Sequence, residues 1–141
     1  MAELPMEYLT RYRWTREGAA GSVDIDGHDA LPVGGPHDRG RFSPEHLLVS
    51  AAEICLANYV VLMAERAKLE INSYDSEALG QLEFEKGAGY RFSTITIRPR
   101  LSVPAGSSAL ARRVVDKAHR ACLIARSLTC PVRIEPQIDE A

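Results

Sequence analysis

The 141-residue sequence predicts an α+β fold in which antiparallel β hairpins pack with a long central helix and a second, C-terminal helix. Three observations predict it: two stretches of period-two alternation split by glycine-containing turns, the apolar run from Leu47 to Ala67 behind a helix-entry signal, and a shorter amphipathic repeat near the end of the chain. Hairpins separated by helices lack the regular strand–helix alternation that builds a parallel sheet. The length suits one domain, residues 1–141, without internal repeat or linker.

Residues Met6 to Arg16 alternate polar side chains with Tyr8, Tyr12 and Trp14, the pattern of a half-buried strand. Glu17 to Gly21 reads as a turn, and Ser22 to Asp26 alternates again, giving a hairpin that ends at Gly27. Leu31 to Arg41, with Pro32, Gly34, Gly35, Pro36 and Gly40, reads as a loop with room for a short strand at its start. Ser43 then stands as N-cap, Pro44 at the first helical position and Glu45 in the first turn. Apolar residues on most faces predict that the first part of this helix is buried nearly all round. Leu79 to Phe84 and Tyr90 to Val103 form a second hairpin around Lys86-Gly87-Ala88-Gly89. From Ser107 to about Arg126, Leu110, Val114, Val115, Ala118, Cys122 and Ala125 predict an amphipathic helix with Cys122 facing inward. Pro131 to Glu135 is a terminal strand that Pro136 confines to an edge or ends.

A net charge of −2 argues against nucleic acid as a partner. No stretch of about 18 uninterrupted apolar residues suggests a membrane span, and the N-terminus lacks the basic and apolar regions of a signal peptide, so a cytoplasmic protein is expected. Three cysteines, Cys55, Cys122 and Cys130, do not form a secreted disulfide framework; reactive or buried thiols suit a reducing compartment. Glycine spacing matches neither a dinucleotide nor a phosphate loop. His119 and Cys122 share a helix face, but zinc needs further ligands and usually closer cysteine pairing, so neither metal nor other cofactor is expected.

Three segments carry a resemblance when taken together: Arg39-Gly40-Arg41-Phe42-Ser43-Pro44-Glu45-His46-Leu47-Leu48, Ala51-Ala52-Glu53-Ile54-Cys55, and Cys122-Leu123-Ile124-Ala125-Arg126-Ser127-Leu128. They resemble the OsmC/Ohr superfamily, in which an (S/N)-P-E-x-L-L entry precedes a helix cysteine and a second helix carries its partner. The likeness extends over nearly the whole chain, including the element order. The sequence departs from the peroxidase pattern where Leu123-Ile124 follows Cys122 in place of Pro-Val or Pro-Phe, and where Cys130 is added, and in this it resembles the OsmC-like branch.

The resemblance implies an OsmC-like fold, an intertwined homodimer, and a thiol-dependent peroxidase that reduces organic hydroperoxides at the expense of an external thiol or dithiol. It implies Cys55 as the peroxidatic thiol, Cys122 as the resolving thiol, an arginine that stabilises the thiolate, and Glu45 holding that arginine. Arg39 is preferred narrowly over Arg41, with Arg11, Arg13 and Arg16 behind them. Glu45 and Cys55 are ten positions apart, about 15 Å along a straight helix, so one guanidinium meets both only through a bend or with groups from another subunit. Cys130 reads as structural. Two other functions fit the same residues: a non-catalytic protein binding a small hydrophobic ligand, and a thiol redox sensor.

Overall fold

The computed structural model describes residues 4–141, and the chain divides after Leu47 into two units. In the first, β1 (Arg11–Trp14), β2 (Gly21–Asp24) and β3 (Leu31–Val33) form an antiparallel sheet in that order. The turn between β1 and β2 is closed by the Trp14 indole N–H and the Thr15 hydroxyl, which donate to the carbonyls of Gly18 and Ala20 at 3.0 and 2.8 Å. The hairpin and the short third strand lie where the sequence pattern puts them, but only Arg11–Trp14 of the alternating Met6–Arg16 stretch is strand. The burial of β1 departs from the pattern: all four of its residues are exposed. Period two reports a strand, but a three-stranded unit without a helix of its own covers neither face of its edge.

The second unit is organised around β5 (Gly89–Val103), which pairs antiparallel with β4 (Ser73–Glu85). β6 (Val132–Ile134) runs parallel to Ile95–Ile97, and β7 (Gln137–Glu140) runs parallel to Arg100–Val103. The sheet is therefore mixed: the terminal strand expected over Pro131 to Glu135 is present as β6, and its pairing is parallel. A parallel return needs a crossover connection, and α2 (Ser108–Ala121) supplies it between β5 and β6. Pro136, which has no N–H to donate, interrupts the terminal strand, and β7 resumes beyond it.

One face of β5, through Ile95, Ile97, Leu101 and Val103, meets Ala52, Leu56, Val60 and Ala64 of α1 (Pro44–Ala67) and Ala111, Val114, Val115 and Ala118 of α2. The other face carries charge: Arg98 pairs with Glu77 and Glu135, and Arg100 with Asp75. The buried α1 residues recur every four positions and form one stripe. Removing Leu56 and Val60 from water contributes about 1.5–3 kcal/mol each. The expectation that α1 is buried nearly all round is corrected here, because Ile54 and Val61 are 58% and 56% exposed. A single sheet covers a single helix face. The same excess makes α1, by length and composition, apolar enough to cross a membrane, which interrupted apolar runs in the sequence did not suggest.

α2 starts without a side-chain cap from Ser107. The Glu140 carboxylate of β7 takes that place and accepts the Ser108 N–H at 3.1 Å. Hydrogen bonds from the Gly106 amide, then the Ser108 hydroxyl and amide, hold the Glu140 carboxyl below its usual range. A depressed acid stabilises the fold above its unfolded pKa, about 4.3, and loses that contribution as pH falls through the folded value. Glu140→Gln is therefore expected to lower the melting temperature at pH 7, with the gap to wild type closing at acid pH. Circular dichroism melts across that range check this, and a gap unchanged by acid would show that the ionised carboxylate is not the capping group.

Candidate functional site

Cys55 lies one residue before Leu56 in α1, on the flank of the buried stripe, and is half-buried. Cys122 is 1% exposed. The amphipathic helix expected to run past it breaks there: α2 ends at Ala121, Cys122 turns away at φ −57° and ψ 113°, and a short α3 (Leu123–Ser127) follows. Its N–H donates to the His119 carbonyl at 3.3 Å and its carbonyl accepts the Arg126 N–H at 3.0 Å, so the break leaves neither group orphaned. The inward placement read from the sequence holds, and the helical conformation does not. No proline or glycine marks the break, so periodicity runs straight through it.

The fold makes the two sulfurs neighbours across the helix pair. Burial pushes the Cys122 thiol above its ordinary pKa; the Ala125 amide acts against this, the adjacent Cys55 side chain adds to it, and the Ile124 amide acts weakly the other way. Cys122 therefore keeps its proton through neutral pH, and a small oxidant in solvent meets Cys55 first. All three cysteines are free thiols. Cys130 is buried in the hydrophobic core, consistent with a structural role.

The entry of α1 belongs to the first unit. Ser43, fully buried, accepts the His46 N–H on its hydroxyl oxygen at 3.1 Å, the bond expected of an N-cap. The His46 ring closes the cap from the other side. With its proton assigned to Nε2, Nδ1 accepts the Ser43 hydroxyl at 2.7 Å and the Ser43 N–H at 3.3 Å. Sequence reading found no role for His46, although it stands three residues after the cap, where a reciprocal partner is usually Glu or Gln. Glu45 beside it has a buried Oε2 with no hydrogen-bond partner among the described residues. Arg41 donates to the carbonyls of Gly21 and Val33 at 2.8 and 3.2 Å, which ties the loop to the sheet. Arg39 is exposed and makes no hydrogen bond or ion pair among the described residues of its unit. Of the first-strand arginines, Arg11 pairs with Asp26 at 2.8 Å.

A second polar group went unrecognised in the sequence. Glu53, two residues before Cys55, accepts the Ser76 hydroxyl at 2.6 Å and joins α1 to β4. Burial first, and then the Glu53 charge, push the neighbouring Tyr74 phenol up to about 12.

A profile for OsmC-like proteins matches residues 35–137. Solved structures share the fold. An OsmC-like protein of unknown function from Vibrio cholerae superposes with a TM-score of 0.85 at 20% identity, over 94% of this chain and 99% of that one. An organic hydroperoxide resistance protein OsmC from Legionella pneumophila superposes at 0.74 and 16% identity, over 97% and 99%. The organic hydroperoxide resistance protein OhrB of Bacillus subtilis does so at 0.64 and 18%, over 92% and 96%. Likeness at these identities carries the fold and leaves the reaction to the residues. No curated protein matches the sequence significantly. The matched profile takes in both thiols, the α1 entry and most of the mixed sheet, and on that extent the chain belongs to the OsmC-like family.

Proposed function

We propose that the protein is a thiol-dependent peroxidase that reduces organic hydroperoxides to alcohols. One observation carries the reading: a thiol within reach of solvent, Cys55, lies beside a sealed and protonated one, Cys122. In the proposed cycle the Cys55 thiolate attacks the peroxide, the O–O bond breaks as an S–O bond forms, and the alkoxide leaves as alcohol once protonated. The Cys55 sulfenic acid then condenses with the Cys122 thiol to a disulfide and water. An external thiol or dithiol returns both sulfurs to thiols, as a reducing cytoplasm would allow.

A helix-embedded thiolate in partly apolar surroundings needs a neighbouring cation. We assign that role to Arg39, since Arg41 is engaged by two carbonyls, with Glu45 as its anchor. Ten helical positions between Glu45 and Cys55 amount to about 15 Å, so the guanidinium at the thiol is assigned to a second copy of the chain. The uncovered apolar side of α1, with Ile54 and Val61, supports a homodimer.

Wild-type protein is expected to consume cumene hydroperoxide over many turnovers with dithiothreitol, and Cys55→Ser to fall to the rate of dithiothreitol alone. A wild type that oxidises once without turnover would make the pair a redox sensor, and no oxidation would favour a binding protein. Cys122→Ser should carry out the first reduction and then accumulate Cys55 sulfinic acid, read by peptide mass spectrometry; a yield no higher than wild type would remove Cys122 from the cycle. Alkylation by iodoacetamide should reach Cys55 before Cys122 at neutral pH, with Cys122 reacting only in alkaline solution. Because the Cys55 side chain helps to hold the Cys122 proton, Cys55→Ser should move the onset of Cys122 labelling to lower pH.

A further inference from the structure

Where the last turns of α1 meet α2, within the second unit, lies a groove of about 520 Å³. That volume is in the range of small-molecule sites, about 300–1,000 Å³. Its floor is apolar, with Met63 and Ala67 from α1 and Leu110 and Val114 from α2. Its rim is basic: Arg66, Arg113, Lys117 and Arg120 line it with Asp116 as the one acid. A chain of net charge −2 thus concentrates a local excess of positive charge at one cleft.

What separates these cations from scattered surface charge is their convergence on one cleft. None of the four groove cations has an ion-pair partner among the described residues, so no carboxylate of a described residue neutralises their charge at the rim. Arg66 and Arg120 stand in the last turns of their helices, where the helix dipole accounts for a cation. Arg113 and Lys117 lie in the middle of α2 and gain nothing from it. With Arg120 they follow an i, i+4, i+7 spacing that sets all three along one edge of the groove.

From this juxtaposition we infer that the groove binds a single-chain amphiphile with a carboxylate head, of the free fatty acid type. The acyl chain lies on the Met63, Leu110 and Val114 floor, where the flexible methionine adapts to chain length and kinks. The head meets the planar forks of Arg113 and Arg66, whose geometry matches a carboxylate. Asp116 on the rim disfavours a polyanion, which would have to run past it. The groove shares no residue with the thiol pair, so binding there is tested separately from the proposed peroxidase cycle.

The test is calorimetric titration of the intact protein with dodecanoate below its micelle concentration, alongside dodecanol, dodecyltrimethylammonium and phosphatidylglycerol vesicles. Saturable binding of dodecanoate is expected, weakened on the order of tenfold by Arg113→Glu with Lys117→Glu. Salt at about 0.5 M should weaken it as well. The uncharged and cationic chains should bind less tightly than dodecanoate. Both substitutions are at exposed positions, and circular dichroism checks that the fold is kept. On wild-type protein, methyl NMR should show the Met63 signal moving with dodecanoate, which reads the site without any substitution. Cys55→Ser should bind as wild type does, whatever its peroxidase activity. Absence of saturable binding, affinity unchanged by charge reversal, a silent Met63 methyl, or binding to vesicles alone would each overturn the inference.

Discussion

The contact between the α1 stripe and β5 is the constraint on which the rest of the molecule depends. Leu56 and Val60 are fully buried against Ile95, Ile97 and Leu101, so α1 has no freedom to rotate or slide without opening the core. Cys55 is the residue next to Leu56 and inherits that fixed position. The same core holds Val115 and Ala118 of α2, and Cys122 follows four residues after Ala118. The spacing of the two sulfurs is thus a by-product of hydrophobic packing; no polar contact has to be arranged for it. β5 adds stiffness from the other side, because it is bonded to β4, β6 and β7 at once.

Within that frame the two thiols are chemically unequal for a plain reason. Cys55 sits on the border of a buried stripe and Cys122 at a helix break turned into the core. Desolvation, the largest influence on Cys122, keeps its proton in place, and the neighbouring Cys55 reinforces it. In the proposed cycle the order of reaction follows from access and the protonation of Cys122 together. In the first unit the buried Oε2 of Glu45 lacks a hydrogen-bond partner among the described residues, and the proposed cycle would fill that need with an arginine.

Much of this was legible in the chain. Ser43, Pro44 and Glu45 announced the start of α1 to the residue, and alternation located both hairpins near their turns, because caps and period two are local signals, although β4 begins at Ser73, well before the alternation read from Leu79. What local signals do not carry was misread or missed. Nothing near Cys122 marks the end of α2, since the break is imposed by tertiary packing on a pattern that remains helical. The parallel pairing of β6 and β7 depends on where α2 delivers the chain, and pairing partners leave no trace in composition. The exposure of β1, and of Ile54 and Val61, went against hydrophobicity because a pattern says which residues prefer burial without saying what covers them. The thiols and Glu45 were found through resemblance, whereas the His46 cap could have been found from its position three residues after Ser43.

The interruption at Pro136 has a bearing on how the molecule behaves in a crowded solution. A mixed sheet has two open borders, and an open border is a template on which a foreign chain can add a strand. On one border the row of available N–H groups is broken by the proline between β6 and β7. On the other, β4 presents Asp75, Glu77, Glu83 and Glu85, several of them tied down by Arg91, Arg98 and Arg100. Both borders are thereby poor seeds for fibre growth.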